Sequence, residues 1–242
     1  MNLDFKELVL VDKVVECPTI ISFYFKAKDG SKLPKHKPGQ FLPFKIKTDD
    51  PKYKDVMRTY SLSMAPNEYM YRISVKRVPN GLMSSYLHEK LEVGDSIEAL
   101  NPTGIFTLKE ESRNIPMVLI SGGIGITPLL SMLYAESQIR NDIHFIQAVQ
   151  NSVIQPFKND VKCICSMKQI KNTTFFSNPL DTDKKGFNYD EDGYVTKEWI
   201  KNNLPLNAEF YFCGPPPFMR GIETSLLELG VPKSRINYEL FS

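Results

Sequence analysis

The sequence predicts a chain in two parts, an all-β half built as a closed barrel or sandwich, then an α/β half with a parallel sheet. Three observations carry this. Up to residue 100 the chain is a series of short runs rich in β-branched and aromatic residues, separated by glycine and proline turns. From residue 117 onward, apolar strand-like runs alternate with helical patterns, the signature of βαβ units. Between them, 108–116 is a break carrying Lys109-Glu110-Glu111. The expected division is therefore 1–112 and 113–242.

In the first half, strands are expected over 7–15, 19–27, 40–48, 58–64, 70–78 and 94–100, with one helix over 84–91. Asp29-Gly30, Pro38-Gly39, Ala65-Pro66-Asn67 and Pro79-Asn80-Gly81 supply the turns. In the second half, strands are expected over 117–120, 143–149, 173–176, 209–212 and 236–240. Helices are expected over 128–138, 155–168, 196–203 and 216–229. Thr127 reads as a helix N-cap with Pro128 at the first helical position, and Ser84 as a second N-cap.

The chain has 242 residues, 42% of them apolar, enough for a sizeable core. A net charge of +2 gives no argument for nucleic acid or membrane, and no apolar run approaches the length of a membrane span. The N-terminus MNLDFKELVL carries acids early and does not read as a secretion signal. Four cysteines in this length do not make a disulfide scaffold, so a reducing cytoplasm is expected. Three scattered histidines make a metal site unexpected, and Cys163-x-Cys165 lacks the ligands of an iron–sulfur centre. Residues 26–58 hold ten basic residues against four acids. That run is either a solvated face or a docking surface for an acidic partner.

Three stretches carry candidate chemistry. Ser121-Gly122-Gly123-Ile124-Gly125-Ile126-Thr127-Pro128 joins a strand to a helix through a glycine turn. Such a turn offers free N–H groups and a positive helix end to phosphate or a close-lying ring. The alternative is an ordinary strand-to-helix turn. Arg58-Thr59-Tyr60-Ser61 lies on an expected strand, with Arg58 and Tyr60 on one face roughly 6–7 Å apart. A guanidinium fits phosphate and a phenol ring offers a stacking surface, although an exposed arginine beside a half-buried tyrosine is common in any barrel. Gly81-Leu82-Met83-Ser84 precedes the first helix as a second candidate anion site. Cys213-Gly214-Pro215 follows an apolar strand at the ligand-binding end of the sheet, where Cys213 is either a site residue or a buried small apolar one. Two nucleotide sites in one chain suggest two cofactors exchanging electrons.

Taken in order, Pro38-Gly39-Gln40-Phe41, Arg58-x-Tyr60-Ser61, Gly81-x-x-Ser84, Gly122-Gly123-x-Gly125-x-Thr127-Pro128 and Cys213-Gly214-Pro215 resemble the ferredoxin–NADP reductase superfamily. The resemblance runs from about residue 8 to 241. Within the family it is similar to the reductase module of flavohaemoglobins and to NADH-dependent oxygenase reductases, with no globin expected before it.

The resemblance implies a six-stranded antiparallel FAD-binding barrel and a Rossmann-like domain for the nicotinamide nucleotide. It implies that Arg58 and Thr59 contact FAD, Arg58 at the pyrophosphate, and that Tyr60 packs on the isoalloxazine. Ser61 is implied near flavin N5, although simple alternation sends it to the opposite face, so a bulge, a strand end or a backbone contact is expected there. Ile73, Val75 and Lys76 match positions lining the flavin. Gly81, Leu82, Met83 and Ser84 match the pyrophosphate clamp. Gly122, Gly123, Gly125, Thr127, Pro128, Cys213, Gly214 and Pro215 match the nicotinamide site. Glu239 and Phe241 match a C-terminal acid and aromatic that approach the flavin. Ser61, Cys213 and Glu239 are the implied catalytic residues. Gln147 stands where relatives often place an aromatic or histidine, for no reason visible in the sequence.

After the third α/β strand, Phe176-Ser177-Asn178-Pro179 lacks the arginine that NADPH relatives use there, so NADH is expected. Lys184 and Lys185 keep NADPH open. The expected acceptor is a separate acidic electron carrier such as ferredoxin or flavodoxin, or an oxygenase component, met by a monomer or weak dimer. A free-flavin reductase and a non-catalytic nucleotide sensor are the alternative readings.

Overall fold

The computed structural model describes residues 4–109, 111 and 113–241. Met1, Asn2 and Leu3 of the expected non-secretory N-terminus, Glu110 of the charged break, and Ser112 at the expected division lie outside the described residues.

The first half forms β1 (Lys6–Cys17), β2 (Ile20–Ala27), β3 (Phe41–Ile46), β4 (Met57–Ser61), β5 (Tyr71–Lys76), α1 (Leu82–Glu89) and β6 (Ser96–Ala99). Its strands make an antiparallel sheet in the order β4-β3-β6-β1-β2-β5. The two ends meet at an antiparallel bridge between Leu62 and Ile73, with the Ser63 N–H donating to the Arg72 carbonyl at 2.9 Å. Closure into a barrel removes the exposed sheet edges. Leu8, Leu10, Phe23, Phe25, Phe44 and Ile97 fill its interior.

The second half forms β7 (Met117–Gly122), α2 (Ile126–Glu136), β8 (Ile143–Val149), α3 (Lys158–Lys168), β9 (Lys171–Phe176), β10 (Glu191–Asp192), α4 (Lys197–Asn203), β11 (Glu209–Cys213), α5 (Pro216–Glu228) and β12 (Ile236–Glu239). The parallel sheet runs β10-β9-β8-β7-β11-β12. Chain order therefore reverses between β7 and β11. In open α/β sheets ligands bind beyond the carboxyl ends of the strands at such a reversal. Both faces are covered, by one apolar cluster containing Leu129 and Leu133 of α2 and another containing Ile222 and Leu226 of α5.

Local chemistry differs from expectation at three helix starts. α2 is capped by Gly125, and Thr127 lies inside the first turn, where its hydroxyl donates to the Ile124 carbonyl at 3.1 Å. A 3-10 turn over Gly123–Gly125 feeds straight into the helix and leaves Thr127 no capping position. α1 is capped by Gly81, while the Ser84 hydroxyl accepts from the Val78 N–H at 3.2 Å. The helix expected from residue 155 begins at Lys158, after Phe157 adopts a left-handed backbone at φ 57. The helix expected over 196–203 begins at Lys197, with Thr196 as its cap accepting from the Trp199 N–H.

The break between the halves is docked. The Lys109 N–H donates to the Tyr211 hydroxyl at 3.0 Å, and Lys109 Nζ donates to Glu209 at 2.8 Å. Among the described residues no helix is long and apolar enough to cross a membrane.

Candidate active site

Two loops interlock where the sheet order reverses. Ser121 and Cys213 are paired across β7 and β11, so their following loops leave the sheet side by side. A Cβ on Gly125 would fall on the Cys213 carbonyl. One on Gly214 would stand 3.0 Å from the Gly122 Cα and 2.6 Å from the Phe218 ring. Close approach of backbone to backbone is what these glycines permit.

The two helices that open there differ in their donors. α2 has no side-chain cap, so its leading N–H groups remain unsatisfied by any side chain. α5 starts Pro216-Pro217 behind Pro215, and each proline lacks an N–H. The glycine turn and α2 are therefore the donor-bearing side of the reversal.

The Cys213 side chain has no exposed surface and packs in the core beneath α2. Its thiol donates to the Glu239 carbonyl at 3.4 Å, and burial pushes its pKa well above the ordinary thiol range. Glu239 ends β12 opposite Cys213. Burial raises its carboxyl to about 7. Glu239 and Leu240 line a cavity of about 1370 Å³ between the halves, with His36, Pro38, Phe106 and Tyr134. Phe241 is exposed. The other candidates do not line this cavity.

On the barrel, Arg58 and Thr59 are exposed on β4. Arg58 Nη1 donates to the neighbouring Met57 carbonyl at 2.7 Å, and no ion pair engages the guanidinium among the described residues. Tyr60 is half-buried and stacked on Phe44 at 5.7 Å, which raises its phenol to about 12 through burial. Ser61 is the last residue of β4 and is buried. The Ile73 and Val75 side chains are sealed in the barrel core, and their backbone is partly engaged, Ile73 in the bridge to Leu62 and the Val75 carbonyl 2.8 Å from His88 Nε2. Lys76 is exposed at the end of β5. At the start of α1, Gly81 and Leu82 are half-buried, whereas Met83 and Ser84 are buried.

The halves meet at this place. β5 lies against the 3-10 turn Gly123–Gly125. The bridge from Leu62 to Ile73 ties β5 to the end of β4, and so the Arg58–Ser61 strand is carried toward the glycine turn. A guanidinium with no ion pair on one side and a helix without a side-chain cap beside a glycine cradle on the other fit a ligand with phosphates and flat rings.

The structure accounts for Gln147, which the sequence left unexplained, and adds two groups that the sequence did not single out as site residues. Gln147 Nε2 donates to the Pro156 carbonyl at 2.8 Å, and Gln155 Nε2 donates to Gln147 Oε1 at 2.7 Å. This explains the glutamine, which grips the loop leaving β8. His36 is buried between the halves. Its Nε2 stands 3.3 Å from the Met64 carbonyl and 3.2 Å from the Ser131 hydroxyl on α2. Arg72 also lies on the seam. In sequence His36 and Arg72 read as ordinary loop and strand residues.

A closed antiparallel barrel joined to a parallel sheet, with β5 of the barrel against a glycine-lined helix start at the sheet's reversal, is the architecture of a two-domain flavin and nicotinamide oxidoreductase. The comparisons agree. The oxidoreductase FAD-binding domain matches residues 7–108, and the oxidoreductase NAD-binding domain matches residues 119–224. The flavohemoprotein of Bacillus thuringiensis subsp. konkukian (strain 97-27) is 40% identical over 247 residues, covering 98% of this chain and 61% of the relative. That of Rhodopirellula baltica is 38% identical, covering 98% and 60%. The chain thus spans about three-fifths of these curated relatives. The flavohem-like FAD/NAD-binding domain of a nitric oxide dioxygenase from Vibrio cholerae superposes with a TM-score of 0.89 at 31% identity, over 98% of this chain and 99% of that one. The ferredoxin reductase of a carbazole 1,9a-dioxygenase shares the fold at a TM-score of 0.84 and 20% identity, over 100% of this chain and 70% of that one. The chain belongs to the ferredoxin reductase-like family of FAD- and NAD-binding oxidoreductases, and is an FAD-dependent NAD(P)H oxidoreductase module of the kind carried by flavohemoproteins.

Proposed function

We propose that this module oxidises NADH through bound FAD and delivers electrons to a separate acidic protein. The supporting observation is the approach of β5 to the Gly123–Gly125 turn, which brings the Arg58–Ser61 strand toward the open end of the parallel sheet. Bound FAD supplies the chemistry, taking hydride from the nicotinamide and giving up electrons singly or in pairs. The division falls at 112/113, with FAD on the barrel and the nucleotide on the α/β half.

In this reading Arg58 and the start of α1 over Gly81–Ser84 hold the FAD phosphates, and Tyr60 and Phe241 flank the ring. Thr59, Ser61, Lys76 and the Ile73 and Val75 backbone complete the flavin contacts. Gly122, Gly123, Gly125, Thr127, Pro128, Gly214 and Pro215 form the nicotinamide floor. Cys213, buried beneath that floor, holds the Glu239 backbone in place, and the Glu239 carboxyl has the pKa to hold or release a proton near neutrality.

Preference for NADH is supported at the end of β9. Asp192 pairs with Phe176 across the sheet, and Lys185 Nζ lies 3.0 Å from Asp192 and 3.6 Å from Glu191. Lys185 is thus neutralised where a 2′-phosphate would need a free cation.

The charge argument for an acidic partner is narrowed. Lys28 and Lys47 pair with Glu7, Lys32 with Glu68, and Lys45 with Asp55 and Glu98. Among the described residues Lys26, Lys35, Lys37, Lys52 and Lys54 carry no ion pair and remain for docking, Arg58 being taken by the FAD phosphates in this reading. Four free cysteines suit a reducing cytoplasm, and a monomer or weak dimer is the expected state.

Anaerobic mixing with NADH tests the reading. The purified chain carries stoichiometric FAD, NADH bleaches it, and kcat/KM for NADH exceeds that for NADPH. A larger value for NADPH overturns the coenzyme assignment, and absence of retained FAD favours a free-flavin reductase. Acceptor reduction that does not slow with added salt overturns charge-steered docking.

A further inference from the structure

Arg72 is a buried cation that the site above leaves unused. It lies on β5 and is 5% exposed. Alternation sends Tyr71, Ile73 and Val75 into the barrel core and turns Arg72 and Ser74 outward, onto the seam with the α/β half. Its guanidinium is held from both sides. On the barrel side Nε donates to the Ser63 hydroxyl at 3.0 Å, Nη2 donates to the Ser63 carbonyl, and Nη1 donates to the Tyr24 hydroxyl at 3.4 Å. On the α/β side Nη1 lies 3.6 Å from the Asp160 carboxylate. The guanidinium also stands over the rings of Phe157 and Tyr134, 5.0 and 5.9 Å from their centroids.

Each side is itself anchored. The Ser63 and Ser74 hydroxyls lie 2.7 Å apart, Ser74 and Ser22 likewise, and Ser22 donates to Glu16 at 2.6 Å. A fully connected buried network of this kind is rigid. Across the seam, Phe157 holds a left-handed backbone that non-glycine residues seldom adopt. It follows Gln155 and Pro156, the loop gripped by Gln147. That loop leaves the carboxyl end of β8, the ligand-binding edge of the sheet.

We infer that Arg72 is a positioning residue that sets the spacing between the flavin-bearing strands and the nicotinamide pocket, by clamping β5 to the start of α3. This rests on the cofactor assignment above. Donor and acceptor must approach to about 3–3.5 Å, and a misplacement of about 1 Å costs on the order of 100-fold in rate.

The test uses the full chain and the variants Arg72→Met, Arg72→Lys and Asp160→Asn. FAD affinity stays at the wild-type value in all three. In stopped-flow reduction by saturating NADH, the limiting rate falls about 10- to 100-fold in Arg72→Met and less in Asp160→Asn, with partial rescue in Arg72→Lys. The long-wavelength absorbance from nicotinamide stacked on flavin weakens in the same order. Unchanged limiting rate and absorbance in Arg72→Met, with only a lower Tm, overturns the inference. If Arg72→Met does not fold, Asp160→Asn decides by the same two readouts. Hydrogen exchange of the unliganded chain is a separate arm, in which β5 and residues 155–161 exchange faster in the variants and unchanged exchange overturns the clamp. Should the wild type bind no FAD, the cofactor assignment fails and this arm alone still decides whether Arg72 holds the seam.

Discussion

Replacing the Gly125 hydrogen with a methyl group would drive it into the Cys213 carbonyl, a backbone atom with nowhere to move. Gly125→Ala is therefore expected to cost about 1–3 kcal/mol and to lower Tm, because overpacking at fixed backbone displaces both loops. Arg58 makes the opposite case, an exposed side chain whose removal should leave stability alone. Arg58→Ala is expected to weaken FAD binding about 10- to 100-fold in a fluorescence titration, the worth of a charge-assisted bond to phosphate of about 1.5–3 kcal/mol. Both residues were legible in the sequence, because glycine turns and an arginine beside a tyrosine announce themselves locally. Arg72 was not. A charged residue at an outward position of an alternating strand reads as solvent-facing, and its partners Phe157 and Asp160 come from a distant helix. Ile73 and Val75 show the converse, since apolar residues read as ring-lining are enclosed by the barrel they build.

At the level of elements, strands and helices followed the apolar periodicity, and most errors fell at helix starts. Glycine caps at 81 and 125 give no side-chain signal, while nearby Ser84 and Thr127 offer a false one. The two-residue β10 is too short for any period to reveal. Yet β10 supplies Glu191 and Asp192, which occupy Lys185. The double change Glu191→Gln with Asp192→Asn frees that lysine. It is expected to raise kcat/KM for NADPH about two- to fivefold relative to NADH, in keeping with exposed charge pairs of about 0.2–1 kcal/mol. No change in the ratio would place the 2′-hydroxyl end of the nucleotide elsewhere.

Across the whole molecule, stability should depend on pH from both directions. Burial lowers His36 and His144 to about 4 from an ordinary 6.5. Between those values the unfolded chain binds protons that the folded chain refuses, so stability falls as pH drops from 6.5 toward 4. Glu239 acts oppositely. Its carboxyl is raised to about 7 from 4.5, the folded chain holds the extra proton in that window, and stability declines as pH rises through it. The two histidines outweigh Glu239 where the windows overlap, so thermal melts from pH 4 to 8 should show Glu239→Gln falling more steeply than the wild type as pH drops from 6.5 to 4.5. A profile identical to wild type would mean that Glu239 is not buried as described. The prolines at the start of α5 carry one more consequence. Two helix ends face the same crevice and both carry prolines, but α2 lacks one leading N–H, at Pro128, whereas α5 lacks two, at Pro216 and Pro217. A long ligand with an anionic middle and neutral ends thus meets an asymmetric floor. An anionic group entering the crevice is therefore favoured on the α2 side of that floor.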